Sequence, residues 1–490
     1  MRIAFVASEV VPFAKTGGLA DVAGALPLEL ANMGHDVKIF MPKYYSINEH
    51  EHGHQYLSDV GEIPVRVAGH PHPIHLFKGI MPHSNVEIYF IHYPNYFHRD
   101  KIYTNDWDED QRFILFSKAV IESIQRLGWA PDIIHCNDWQ TGLIPLYIKD
   151  NYSWDKLFKN TASLFTIHNI AYQGRFGQGA LANAEIHPDL FYPDGPVEFE
   201  NSVSFMKTGI VFADVINTVS ETYAQETLTN EYGAGMQTVL RKREKDYFGI
   251  INGVDYDIWN PELDKYIPHH FSINDLSGKL KNKQFLLSRL GLPFNESTPL
   301  IGIVSRMVAQ KGFDLIAQVI NELIKLDCQF MIVGTGEDKY ENLFKSMEFY
   351  YKNKVRAYIG YSNELAHLTE AAADMFLMPS LYEPCGLNQI YSLKYGTVPI
   401  VRKTGGLADT VRDWNEYNSM GLDVGNGYSF ESYEGFALVH AVKRAIGDFH
   451  NKPVWEKIMK NGMTRDYSWR KSAEKYVDLY NKAIAKRRAD

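Results

Sequence analysis

At 490 residues, with 45% hydrophobic and 22% charged residues, the chain is too long for one ordinary core and predicts two or three globular domains. A formal net charge of −9 supplies no basic footprint and argues against nucleic acid as the main partner, while leaving room for a local basic pocket. Three scattered cysteines without CxxC spacing, no basic-then-apolar leader and no apolar run of about eighteen residues predict a cytoplasmic protein with neither disulfides nor a membrane span.

In chain order, RIAFVAS, DVKIFMP, VEIYFIHYP, DIIHCND, SLFTIHN and DVINTVS read as short buried strands, each followed by a helix-length segment. After a junction at INGVDYDIWNPELDKYIP, punctuated by Gly253, Pro261 and Pro268, the series resumes with LIGIVSR, CQFMIVGTG, KVRAYIG, MFLMPS and TVPIV. Near-continuous apolar strands alternating with helices predict parallel sheets covered on both faces, so the fold class is α/β with two doubly wound domains. Ligands then bind at the carboxyl ends of the strands. Residues 50–98 carry nine of the 18 histidines and, broken by Pro and Gly, read as a solvated insertion loop rather than a metal site. The final YSWRKSAEKYVDLYNKAIAKRRAD has helical apolar spacing and a basic tail.

The heptapeptide KTGGLAD occurs twice, at 15–21 and 403–409. In the first copy the glycines stand between a strand and an amphipathic helix, where backbone N–H groups approach an anion at the helix N-terminus. Lys15 adds a positive charge for phosphate, and Asp21 is placed to accept hydroxyl hydrogen bonds. A tight turn with a surface lysine is the plainer alternative. In IVSRMVAQKGF, Arg306 and Lys311 follow a strand and suit a diphosphate that gains charge as a leaving group; structural ion pairing is the rival reading. In MPSLYEPCGLNQIY, Glu383 ends a strand within a Pro/Gly turn, either to meet substrate or to cap the next helix, and Cys385 is a lining residue with no His partner. Asp138, His168 and Asn169 also follow buried strands, and Asn252 lies near the junction. The GxG of MIVGTGED is not completed to GxGxxG, which leaves a dinucleotide oxidoreductase poorly supported.

Together, KTGGLADV, FTIHNIAYQG, INGVD, SRMVAQKG, YEPCGLNQIYSLKYGT and KTGGLADT, in this order over essentially the whole chain, resemble the bacterial glycogen synthase and plant starch synthase family. The resemblance implies the GT-B fold, two Rossmann-like domains facing a deep cleft. It implies transfer of glucose, usually from ADP-glucose, to the non-reducing end of an α-1,4-glucan with retention of configuration, without cofactor or metal. Domains are expected at 1–258 for the acceptor glucan and 259–465 for the nucleotide sugar. A C-terminal helix, 466–490, is expected to pack back towards the first. Lys15, Gly18, Arg306 and Lys311 would contact diphosphate, Asp21 the ribose side, and Tyr361 adenine. Asp138, His168, Asn169, Asn252, Glu383, Cys385 and Gly386 would surround the glucose, with Leu387 and Asn388 in the same nucleotide-sugar loop. Glu383 resembles the catalytic glutamate and Tyr96 would line the acceptor side. Asn388 departs from the Thr usual in bacterial members, and Tyr391 stands where related families carry a second glutamate. A UDP-glucose-dependent transferase of the same fold and a catalytically silent glucan-binding protein are the competing readings; a processed plastid chain would look alike.

Overall fold

Runs such as Ile133–Asn137 and Ala162–Ile167, buried at every position, have no polar face to give to water and must lie inside a sheet covered on both sides. The computed structural model describes residues 1–489, with the side chains of His50 and His52 and the terminal Asp490 outside that description. The chain divides into two units. One comprises 1–219, 224–253 and the C-terminal segment from Trp469; the other comprises 220–223 and 254–468.

The first unit is built on strands β1 (Arg2–Val6), β2 (Asp36–Pro42), β3 (Gln55–Tyr56), β4 (Glu62–Val67), β5 (His70–Ile80), β6 (Glu87–His92), β7 (Ile133–Asn137), β8 (Ala162–Ile167), β12 (Val215–Thr218) and β13 (Tyr247–Gly249). A small separate sheet holds β9 (Arg175–Phe176), β10 (Glu198–Phe199) and β11 (Ser202–Ser204). The main order is β13-β12-β8-β7-β1-β2-β6-β5-β3, with β4 on β5. From β13 to β6 every pairing is parallel, for example Ile3 beside Val37 on one side and Ile133 on the other. Strand order reverses around β1, so the loops leaving β1 and β7 diverge there and open a crevice at their carboxyl ends.

Residues 55–80 correct the expectation of a solvated loop. They form β3, β4 and β5, antiparallel extensions of the sheet, because alternating positions such as Ile63, Val65 and Val67 bury one face. Among the described residues, no group of three or more His, Cys, Asp or Glu side chains is arranged to hold a metal ion. The C-terminal helix Trp469–Ala489 lies in this unit. Tyr480 Oη is 2.8 Å from His135 Nδ1, Asn217 Nδ2 donates to Tyr476 Oη at 3.2 Å, and Ser472 donates to Ile251 O at 2.7 Å. No helix of the described residues is long and apolar enough to cross a membrane.

The second unit is a parallel six-stranded sheet of β14 (Leu300–Val304), β15 (Gln329–Gly334), β16 (Val355–Ile359), β17 (Met375–Met378), β18 (Val398–Arg402) and β19 (Tyr428–Phe430), ordered β16-β15-β14-β17-β18-β19. Its switch point falls between the adjacent strands β14 and β17. The segment entering this unit is fixed by Trp259, whose indole stacks on His367 at 3.6 Å and on Tyr391 at 3.8 Å. Asp264 is bonded to His367 Nδ1 at 2.8 Å and accepts from Tyr395 Oη at 2.6 Å.

Candidate active site

Each unit gathers polar residues at its own switch point. In the first, the loop after β1 runs through Glu9 to the KTGG turn, and Gly18 opens the helix Gly18–Asn32. The backbone N–H of Gly17 donates to Glu9 Oε2 at 3.1 Å, Thr16 Oγ1 donates to Oε1 at 2.7 Å, and the Thr16 N–H is bonded to the same carboxylate. Tyr103 Oη adds a fourth bond at 2.6 Å. Glu9, 3% exposed, therefore fills the amide nest that the glycine turn was expected to offer to phosphate. What stays open is the space above the glycines: a Cβ at Gly17 or Gly18 would meet nothing within 4 Å. Lys15 Nζ pairs with Asp21 Oδ1 at 2.7 Å, so the two polar ends of the heptapeptide face each other. Burial still holds the Asp21 carboxyl above its usual range, against the pull of Lys15.

Beside this turn, the loops after β7 and β8 are locked together. Asp138 has φ 57°, uncommon for a side-chain-bearing residue, and its N–H donates to Thr166 O at 2.9 Å. That backbone turn aims its carboxylate at the His168 N–H, 2.8 Å away. Burial pushes the Asp138 carboxyl up to about 7 and holds the His168 imidazole down to about 3, so His168 is neutral at physiological pH. The His168 ring lies 2.9 Å from Asn137 Oδ1, whose amide donates to Val6 O at 3.0 Å. Asn169 caps its own turn by accepting from Ala171 N at 3.0 Å. Asn252, after β13, is buried and its Oδ1 has no hydrogen-bond partner among the described residues. Tyr96 donates to Gln111 at 2.9 Å and is largely buried, with burial raising its phenol well above the usual range.

In the second unit, the loops after β14 and β17 are laced by Leu381 N to Gln310 O at 2.9 Å and Gln310 Nε2 to Tyr382 O at 3.0 Å. This brings Lys311 to Glu383 across 72 positions of sequence: Nζ lies 2.9 and 2.7 Å from the two carboxylate oxygens. Ser380 donates to the same carboxylate at 3.0 Å, and Glu383 is 4% exposed. Lys311 thus meets the carboxylate directly. Arg306 is exposed and, among the described residues, has no ion-pair partner. Tyr361 is 86% exposed, presenting a free ring face. Asn388 donates to Val304 O at 2.6 Å, tying the start of its helix to β14. Gln389 Nε2 donates to Cys385 O and Gly386 O at 3.1 and 3.0 Å, holding the loop in which Gly386 has φ +70°. Leu387 is the residue before that helix, Asn388–Lys394.

The second KTGGLAD turns out to be a brace for this loop. Gly406 N donates to Glu383 O at 3.1 Å, and a Cβ on Gly406 would sit 2.6 Å from Cys385 Cα. Lys403 is paired with Glu416 and Glu431, and Asp409 accepts from Thr222. One heptapeptide leaves open space; its twin is packed against the chain. Glu9, Asn137, Ser380 and Gln389 were missed as site-builders by sequence reasoning. Their only local signal is a polar residue at or just beyond a strand or turn, which many positions share.

Two doubly wound α/β units, each with charged and polar groups at its switch point, are the architecture of a protein that holds its ligands at the carboxyl ends of strands, and the likenesses that follow make it a retaining glycosyltransferase of the GT-B fold. A family profile described as the starch synthase catalytic domain matches residues 2–242, and one described as glycosyl transferases group 1 matches 288–461. Glycogen synthase of Thermotoga maritima is 44% identical over 489 residues, covering 99% of both chains. That of Koribacter versatilis is 45% identical over 487 residues, covering 99% of this chain and 98% of its own. The structure of the catalytic domain of starch synthase IV from Arabidopsis thaliana, bound to ADP and acarbose, superposes with a TM-score of 0.89 at 33% identity, covering 99% of each chain. Sucrose-phosphate synthase from Thermosynechococcus elongatus shares the fold alone, with a TM-score of 0.59 at 17% identity over 99% of each chain. The chain belongs to the glycogen synthase and starch synthase family.

Proposed function

We propose that this glucosyltransferase uses ADP-glucose as donor and extends the non-reducing end of an α-1,4-glucan with retention of configuration. The observation that carries the reading is the Lys311–Glu383 pair, its carboxylate buried and its ammonium half-buried, with both carboxylate oxygens within 3 Å of the ammonium, at the carboxyl ends of adjacent strands. Breaking the anomeric C–O bond develops positive charge on the sugar and negative charge on ADP. Lys311 and Arg306 stabilise the departing diphosphate, with Lys15 assisting. Glu383, neutralised in part by Lys311, orients the glucose hydroxyls and offsets the developing sugar cation. Asp138 fixes the His168 backbone, whose carbonyl supports the same cation on the face from which the leaving group departs. The neutral imidazole adds no opposing charge there. Tyr361 stacks on the adenine, Asn252 offers its unpartnered oxygen to the glucose, and Tyr96 belongs to the acceptor side. The residues act as the chain's own electrostatic machinery, with no cofactor assigned.

The test is glucose incorporation into glycogen from ADP-glucose and UDP-glucose at matched concentrations, for the wild type and Glu383→Gln. ADP-glucose should be strongly preferred, and Glu383→Gln should lower turnover by about 10²–10⁴-fold with little change in melting temperature. Preference for UDP-glucose would refute the donor, and full activity in Glu383→Gln would remove its catalytic role.

A further inference from the structure

Two helices of the second unit carry the ends of the donor seat. Asn363–Ala372 begins two residues after Tyr361, the ring assigned to adenine, and Asn388–Lys394 begins with Asn388 of the nucleotide-sugar loop. A third piece of chain, Trp259 to Tyr266, joins them. The Trp259 indole lies between His367 of one helix and Tyr391 of the other, with ring centroids 3.6 and 3.8 Å away and planes 10° and 4° from parallel. His367 is the fifth residue of its helix and Tyr391 the fourth of its own, so the indole grips each about one turn below its start.

The same segment holds the two helices twice more. Asp264 Oδ2 lies 2.8 Å from His367 Nδ1 and accepts from Tyr395 Oη at 2.6 Å, so one carboxylate spans both helices. Burial raises the Asp264 carboxyl, but its bonds to His367, Tyr395 and the Tyr266 N–H outweigh that and hold it below its usual range. Tyr266 Oη accepts from Asn363 Nδ2 at 3.1 Å, two residues from Tyr361, and its ring lies 4.7 Å from His367. Successive turns stiffen the segment itself. The Trp259 N–H donates to Asp255 O at 2.9 Å, the Asp264 N–H to Asn260 O at 2.9 Å, and the Tyr266 N–H to Asp264 Oδ1 at 2.8 Å.

We propose that Trp259, with Asp264 and Tyr266, is a positioning clamp for the nucleotide sugar. It sets the spacing between the Tyr361 and Asn388 ends of the seat, and so governs donor affinity rather than glucan affinity or the chemical step. The slot between two parallel rings fits a flat side chain. A branched aliphatic is thicker than a ring and narrower across, so it would push His367 and Tyr391 apart while leaving a void at its side. A donor that engages both ends of the seat at once loses affinity when their separation no longer matches its length. Glu383 is held by other contacts, from Lys311, Ser380 and the Gly406 N–H, so its placement does not depend on the clamp.

This inference rests on the ADP-glucose reading of the function, and ADP binding is therefore measured by titration calorimetry, without glucan, apart from turnover. Full-length wild type, Trp259→Leu, Trp259→Phe and Tyr266→Phe are compared, followed by initial rates against ADP-glucose and against maltoheptaose. Trp259→Leu should weaken ADP binding and raise the ADP-glucose KM by about tenfold, while kcat and the maltoheptaose KM stay within about twofold of wild type. Trp259→Phe keeps a plane in the slot and should recover donor affinity to within about threefold of wild type. Tyr266→Phe, which loses the bond to Asn363 and keeps the ring, should weaken ADP binding by about two- to threefold with an unchanged melting temperature. Wild-type ADP affinity in a folded Trp259→Leu would overturn the proposal; if that variant does not fold, wild-type affinity in Tyr266→Phe would do the same. Equal rises in the donor and glucan KM, or a fall in kcat alone, would also overturn it, because the stack would then support the unit at large or the Glu383 loop. Trp259-dependent ADP binding in a wild type that transfers no glucose would uphold the clamp and refute the transferase reading. Trp259-dependent binding of UDP in place of ADP would uphold it and change the donor, and a wild type that binds neither would overturn it.

Discussion

Alanine at the second glycine of each KTGGLAD makes one chemical change in two surroundings. At Gly18 a Cβ has no neighbour within 4 Å, and the residue already has helical backbone at the start of a helix. Losing glycine's unfolded-state freedom there should leave stability unchanged or raise it by about 0.4–1 kcal/mol. At Gly406 the same Cβ would lie 2.5 Å from the carbonyl carbon and 2.6 Å from the Cα of Cys385, and closer still to its oxygen, whereas ordinary contact begins at 3.4 Å. The obstacle is backbone, so either the Glu383–Cys385 loop or the helix Gly405–Thr410 must retreat by roughly 1 Å. Overpacking of that kind costs about 1–3 kcal/mol, and at about 2–4 °C per kcal/mol for a unit of this size it should lower the melting temperature by roughly 2–12 °C. The moving loop carries Glu383, and a misplacement near 1 Å is expected to reduce kcat by about 10²-fold. Differential scanning calorimetry and steady-state kinetics on the two variants make the test. Equal melting losses, or a Gly406→Ala protein with wild-type melting and turnover, would show that the second heptapeptide is not a brace.

Glu9→Ala should destabilise the first unit by about 1–3 kcal/mol, because the part-buried N–H groups of Thr16 and Gly17 and the Tyr103 hydroxyl lose their acceptor; a denaturant midpoint equal to wild type would contradict the nest assignment. Asp138 carries a folded-state pKa near 7 against 3.8 in its ordinary state, so between those values the folded chain keeps a proton that the unfolded chain has released. Its contribution to stability therefore falls as pH rises from about 4 to 7 and is flat outside that window. The melting-temperature difference between wild type and Asp138→Asn should widen across that range in favour of the variant, and a pH-independent difference would mean the carboxyl is not perturbed.

Strands and their order along the chain were legible because apolar runs and glycine turns are local signals: β1, β2, β6, β7 and β12 in the first unit and β14 to β17 in the second lie within the segments read as strands, while β8 begins one residue before its segment and β18 ends one residue after. The antiparallel extension β3–β5 was hidden by its histidines and prolines, since alternation such as Ile63, Val65, Val67 becomes decisive only when a neighbouring strand supplies the other half of the ladder. The type of residue at each strand end was equally readable, which is how Asp138, His168, Lys311 and Glu383 were singled out. Their partners were not.

The amino-acid sequence by itself determined the α/β class, the family and the polar residues at the strand ends, all of which follow from local patterning and from motifs read in order. Tertiary structure alone decided that Glu9 fills the first glycine turn, that the second copy props up Glu383 and Cys385, and that Lys311 meets Glu383. Identical heptapeptides have identical propensities. They acquire opposite tasks because the surroundings of a glycine come from the rest of the fold, here open space beside Gly17 and Gly18 in one unit and the backbone of the Glu383–Cys385 loop beside Gly405 and Gly406 in the other.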